Sequence, residues 1–116
     1  MDSLNSHRWA QIGPLLEPSG TYEDPIAGGP LAATMAGFYW AGMWTRFPEL
    51  RFAVQRVTGD GSEVVVEWTV DGIPGVTPAP SGVFVLRLRG NSIVSVRGYY
   101  NALPFLFNGG KSALVR

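Results

Sequence analysis

Four strand-like segments between residues 50 and 101, each joined to the next by glycine-, proline- or serine-rich residues, constrain this chain more than any other feature. Leu50 to Val57 is followed by the turn cluster Thr58-Gly59-Asp60-Gly61-Ser62. Glu63 to Val70 is rich in β-branched residues, which suit a pleated surface. Gly72 to Ser81 carries three prolines and reads as a connection. Gly82 to Arg89 and Ile93 to Asn101 flank the tight turn Gly90-Asn91-Ser92. Hairpin-length links force neighbouring strands to run antiparallel. Helical segments upstream of such a run predict an α+β fold.

The upstream half is different. Trp9 to Leu16 has helical spacing and meets Glu17-Pro18-Ser19-Gly20, a turn signal. Thr21 to Asp24 reads as extended, because Pro25 disfavours helix at the residue before it. Gly28-Gly29 predicts a loop, and Pro30 suits the first turn of a helix running to about Thr45. On that helix Leu31, Met35, Phe38 and Gly42 form one stripe; Ala32, Ala36, Tyr39 and Met43 form the next; Trp40 and Trp44 form a third. A helix apolar nearly all round is buried or covered by a partner. The tail after Ala102 holds Leu103, Phe105, Leu106 and Phe107 and is expected to pack back on the core.

Alternation places Val64, Val66, Trp68 and Val70 on one sheet face, with Gly82, Phe84, Leu86 and Leu88 and with Val94, Val96, Gly98 and Tyr100. That face is apolar and aromatic, and Gly82 and Gly98 leave space in it or bend the sheet. The other face keeps Val65, Val83, Val85 and Tyr99 among its charges, which suits a homodimer interface. Glu67 and Arg97 fall on that far face, as an exposed ion pair or a dimer contact.

At 116 residues the chain reads as one domain, residues 1–116. Net charge is zero with no basic block, which argues against a nucleic-acid partner. Cysteine is absent, so disulfides, thiolate chemistry and Cys-ligated metals are excluded. His7 is the only histidine, and no metal-ligand cluster or phosphate-binding glycine loop is evident, so neither metal nor cofactor is expected. The uncharged run from Ile26 to Thr45 is broken by Gly28-Gly29-Pro30, which argues against a membrane span. With no apolar leader at the start, a cytoplasmic location is expected.

Tyr22-Glu23-Asp24-Pro25 sets a carboxylate at the mouth of this apolar region, a costly place unless the charge is hydrogen-bonded or used. With Phe47-Pro48-Glu49-Leu50-Arg51-Phe52, Val64-Val65-Val66-Glu67-Trp68 and Ser92 to Tyr100 in that order, the chain resembles the nuclear transport factor 2-like superfamily. The likeness is to its SnoaL-like and ketosteroid isomerase-like members. It implies a curved antiparallel sheet wrapped around helices to form a cone-shaped pocket, here with a shortened N-terminal helix, and a homodimer. It also implies that Asp24 stands where ketosteroid isomerases keep their proton-shuttling base. Gly82 stands where those enzymes carry a protonated Asp of the oxyanion hole, so that hole is not carried over.

The expected function is a small-molecule isomerase or cyclase acting on an apolar carbonyl compound. Asp24 is the general base and Tyr22, two residues earlier on the same strand face, its hydrogen-bonding companion. Phe38, Trp40, Val66, Trp68, Phe84, Gly98 and Tyr100 are the expected substrate walls, and Asn101 a residue of the rim. The alternatives are a non-catalytic binder of a small hydrophobic ligand, or a dimeric interaction module whose cone is plugged by Trp40, Trp44, Trp68 and Tyr100. In the purely structural alternative, Asp24 only pins the turn before Pro25.

Overall fold

The computed structural model describes residues 16–76 and 78–107. Six strands and two helices follow in the order β1 (Leu16–Asp24), β2 (Gly28–Ala32), α1 (Ala33–Arg46), β3 (Arg51–Gly59), β4 (Glu63–Asp71), β5 (Ser81–Arg89), β6 (Ser92–Tyr100) and α2 (Leu103–Phe107). They build one curved, unclosed sheet in the order β2-β1-β6-β5-β4-β3. The four strands from β3 to β6 are antiparallel neighbours, as their short links require. β1 joins the far side of β6 in parallel, and β2 folds back antiparallel on β1.

Two upstream segments differ from the expectation. Glu17-Pro18-Ser19-Gly20 lies inside β1 rather than in a turn, and Gly28 to Ala32 is β2 rather than a loop and helix start. Pairing with β6 supplies the hydrogen bonds that local propensity does not. The misfit shows as a register break between Leu16 and Thr21, where proline and glycine interrupt the ladder. The predicted helix over Trp9 to Leu16 has Leu16 in β1; its other residues, and His7, lie outside the described residues.

α1 starts at Ala33 and buries Ala33, Ala36, Gly37, Trp40, Met43 and Trp44, a spacing of three and four that makes one helical stripe. Arg46 sits in its last turn, where a cation suits the helix dipole. The Phe47 N–H closes the end on the Met43 carbonyl at 2.8 Å. The stripe packs on the concave sheet face through aromatic rings. Trp40 lies 6.0 Å from Tyr22 and 5.7 Å from Phe52, and Phe52 lies 5.0 Å from Trp68. Phe105 of α2 closes the same layer against Phe47 and Tyr100, so the tail does pack back.

The face assignments from alternation hold on β4 and β5. On β6, Ile93 packs against the core instead of pointing outward. A bulge between Arg87 and Leu88 pairs Leu88 with Ile93 and resets the alternation. On the outer face Arg97 Nε donates to Glu23 Oε1 at 2.6 Å, and Arg56 pairs with Glu67 at 3.8 Å. Among the described residues no helix is long and apolar enough to cross a membrane.

Candidate functional site

Asp24 ends β1 and is the one buried charged residue among those described, 5% exposed. Its two oxygens do different work. Oδ1 accepts from the backbone N–H groups of Ile26 at 2.9 Å and Ala27 at 2.6 Å, which pins the turn after Pro25. Oδ2 turns inward and accepts the Tyr22 hydroxyl at 2.6 Å and the Tyr39 hydroxyl at 2.8 Å. The turn-pinning role and the interior role thus coexist on one side chain. The four donors satisfy both carboxylate oxygens in this buried place. None of the ion pairs formed by the described residues involves Asp24, so its charge is balanced by hydrogen bonds alone.

Tyr39 brings in a third phenol. Its hydroxyl lies 3.5 Å from that of Tyr100. Tyr39 has one proton and gives it to Asp24, so Tyr100 is the donor in that longer contact. The order Tyr100, Tyr39, Asp24 is a directed relay across α1, β6 and β1. Burial first, and then the neighbouring carboxylate, raises Tyr22 well above an ordinary phenol. Burial first, with Tyr100 and Asp24 adding to it, raises Tyr39, and burial raises Tyr100. All three are neutral donors at physiological pH.

A pH dependence follows. The folded chain holds these phenolic protons above the pH, about 10, at which an unfolded tyrosine releases them. Above that pH the unfolded state binds fewer protons, so stability falls as pH rises. The thermal midpoint is expected to drop above about pH 10, and Tyr39→Phe to flatten the drop. Superimposable pH curves for wild type and variant would contradict this.

The structure brings together most of the side chains the sequence singled out. Tyr22, Trp40, Trp68 and Phe84 are buried. Val66 and Tyr100 are half-buried and pack on that cluster. The two strand glycines leave no void. A methyl group at Gly98 would meet Asp24 Cβ at 3.1 Å and Phe84 Cε1 at 3.3 Å. One at Gly82 would meet Trp68 Cζ2 and Tyr100 Cβ at 2.7 Å. Each glycine is therefore a seat for side chains of this chain, not empty space. Phe38 does not join the cluster; it is 53% exposed, on the outward side of α1. Asn101 is exposed, and its Oδ1 accepts the Leu103 N–H at 3.1 Å at the start of α2.

Tyr39 is the residue that sequence reasoning missed. Helical spacing sets it on a packing stripe with Ala32, Ala36 and Met43 and says nothing of the polar end of the ring. The available signal was general: a tyrosine on a buried stripe needs a partner for its hydroxyl. Beyond Phe84, the concave face continues as Val57, Val64, Val66, Leu86 and Val96, half-buried or exposed. It is an apolar surface contiguous with the carboxylate's aromatic shell. No group of three or more potential metal ligands occurs among the described residues.

A family model described as a SnoaL-like domain matches residues 1–96. No curated protein matches the chain. Among solved structures, a protein of ketosteroid isomerase-like fold from Catenulispora acidiphila, in complex with trimethylamine, superposes with TM-score 0.82. It is 22% identical, with 98% of this chain and 91% of that chain covered. An NTF2-like protein from Anabaena variabilis gives TM-score 0.73 at 21% identity, covering 86% of this chain and 79% of that one. A proposed SnoaL-like polyketide cyclase from Jannaschia sp. gives TM-score 0.68 at 15% identity, covering 88% and 76%. At these identities the likeness establishes the fold.

Proposed function

The chain belongs to the SnoaL-like domain family, and from that premise we propose that it is a small-molecule isomerase or cyclase with Asp24 as general base. The observation that carries this is a single oxygen, Asp24 Oδ2, buried and held by two neutral phenols inside an aromatic shell. The substrate class is an apolar compound with an acidic C–H beside a carbonyl. Its hydrocarbon part lies on the concave face, where Val57, Val64, Val66, Leu86 and Val96 are half-buried or exposed beside the aromatic shell.

Proton transfer requires one free lone pair on Oδ2. The donor that yields is Tyr39, which is half-buried and bonded at 2.8 Å, whereas Tyr22 is 4% exposed and bonded at 2.6 Å. Once Tyr39 turns away, the carboxylate takes the α-proton. The C–H electron pair becomes a C=C bond and the carbonyl π pair moves to oxygen. In an isomerisation the proton returns at the γ-carbon, and no other reactant is consumed. Tyr22 keeps the carboxylate oriented throughout. The test is conversion of a β,γ-unsaturated cyclic ketone to its conjugated isomer, read by ultraviolet absorption, in wild type and Asp24→Asn. Equal rates in the two proteins would reject the proposal.

A second reading is favoured by the same four donors. A carboxylate already saturated with hydrogen bonds suits binding without turnover, and one with no ion-pair partner among aromatic rings suits an ammonium group. The Catenulispora protein is in complex with trimethylamine, an amine whose protonated form is such a cation. Trimethylammonium titration separates the readings: tight binding lost in Asp24→Asn, with no ketone turnover in wild type, selects the binder.

The assembly expected is a homodimer through the outer sheet face. Val65 lies opposite Val85 there, and Val83 opposite Tyr99, which is 51% exposed. Sedimentation equilibrium should give twice the chain mass at micromolar concentration; a monomer throughout would reject this interface.

A further inference from the structure

We propose that the indole N–H of Trp68 is a ligand-binding donor that takes the carbonyl oxygen of the substrate. This rests on the assignment of Asp24 as the base that works beside that carbonyl. Trp68 is 1% exposed, and its Nε1 has no hydrogen-bond partner. An indole N–H can only donate, and buried donors are almost always paired. A lone one in the middle of a core is a position held for an acceptor that arrives from outside.

The neighbouring rings supply none. The rings nearest to Trp68 are Phe52 at 5.0 Å, Phe84 at 5.3 Å and Tyr100 at 5.6 Å. Of these only Tyr100 carries an oxygen, and that hydroxyl lies in the Tyr39 contact. The sequence makes deliberate room for this edge of the indole. Trp68 pairs with Gly82 across β4 and β5, and a methyl group at Gly82 would strike Trp68 Cζ2 at 2.7 Å. Cζ2 and Nε1 are both bonded to Cε2, so the donor lies on the edge that the glycine admits.

Two chains of contacts connect the Trp68 ring with the carboxylate. Tyr100 links Trp68 to Tyr39 and so to Asp24. Phe84 touches the indole on one side and, across Gly98, the space beside Asp24 Cβ. Loss of the α-proton places negative charge on the carbonyl oxygen. A fixed donor in a water-excluded interior stabilises that charge more than it stabilises the neutral ketone.

The test uses 2-acetylnaphthalene and 2-isopropenylnaphthalene, planar probes that exchange an oxygen for a CH₂ at one place. In ¹⁵N spectra of the wild-type protein, the ketone should move the Trp68 indole N–H resonance downfield, and the alkene should not. Trp68→Phe should weaken ketone binding about tenfold while leaving the alkene within about twofold, the size of one buried hydrogen bond. The spectrum of wild type keeps the test open if the variant folds poorly. An unmoved Trp68 resonance, or a ketone that binds no more tightly than the alkene, overturns the inference. Asp24→Asn distinguishes the two roles. The ketone should still move the Trp68 resonance in that variant, even if turnover proves independent of Asp24.

Discussion

Asp24→Asn should cut conversion of a β,γ-unsaturated cyclic ketone by about 10²- to 10⁴-fold, the usual worth of a positioned general base. The change is small in every other respect. Asparagine has the same shape, and its Oδ1 can still accept from the Ile26 and Ala27 N–H groups that Asp24 holds at 2.9 and 2.6 Å. On the other side an amide replaces a carboxylate oxygen, so the Tyr22 and Tyr39 hydroxyls must turn round and accept. The fold therefore persists while the base is gone. The loss should fall on kcat, with KM within a few-fold, because the apolar surface that binds the substrate is untouched. A variant that keeps its rate would return Asp24 to the role of turn residue. A variant that loses ketone binding as well as rate would mean that the carboxylate also positions the substrate.

The second large effect is on stability. Gly82→Val should destabilise the domain by about 3 kcal/mol, a large share of the roughly 5–15 kcal/mol that a domain of this size has. The first added carbon would already lie 2.7 Å from Trp68 Cζ2, Tyr100 Cβ and the Tyr99 carbonyl oxygen. The last of these is backbone of the neighbouring strand and cannot move aside without breaking the β5–β6 ladder. Gly42→Ala is the control. Nothing lies within 4 Å of a methyl group there, and alanine is the better helix former by about 1 kcal/mol. Guanidinium unfolding of both variants gives the comparison. A Gly82→Val midpoint equal to that of wild type would mean that the indole is not seated over this glycine.

The two glycines also show where sequence reasoning stops. Alternation along β4 and β5 is enough to place Val66, Trp68, Gly82 and Phe84 on one face, because a period of two puts each strand's apolar set on a single side and only one side is buried. It does not say whether a glycine on that face makes room for a ligand or for a neighbour. That depends on the ring rotamers of Trp68 and Phe84, which are set by tertiary packing. The start of β1 and all of β2 were hidden for a related reason. Proline, serine and glycine at residues 18–20 and 28–30 carry turn propensity, and only the ladders of β1 to β6 and of β2 to β1 override it. Asp24 and Tyr22 were legible through the family likeness and the spacing of two along a strand. Tyr39 was not, because its hydroxyl reaches Asp24 only after α1 has been laid across the sheet. Phe38, its neighbour, turns outward by the same helical geometry.

The most direct measurement is a crystal structure of the protein with 2-acetylnaphthalene bound at neutral pH. The account predicts Tyr39 rotated off Asp24, the ketone's α-carbon within about 3.5 Å of Oδ2, and the carbonyl oxygen on the Trp68 indole N–H. A ketone bound elsewhere, with all four donors still on Asp24 and the indole still alone, would contradict it.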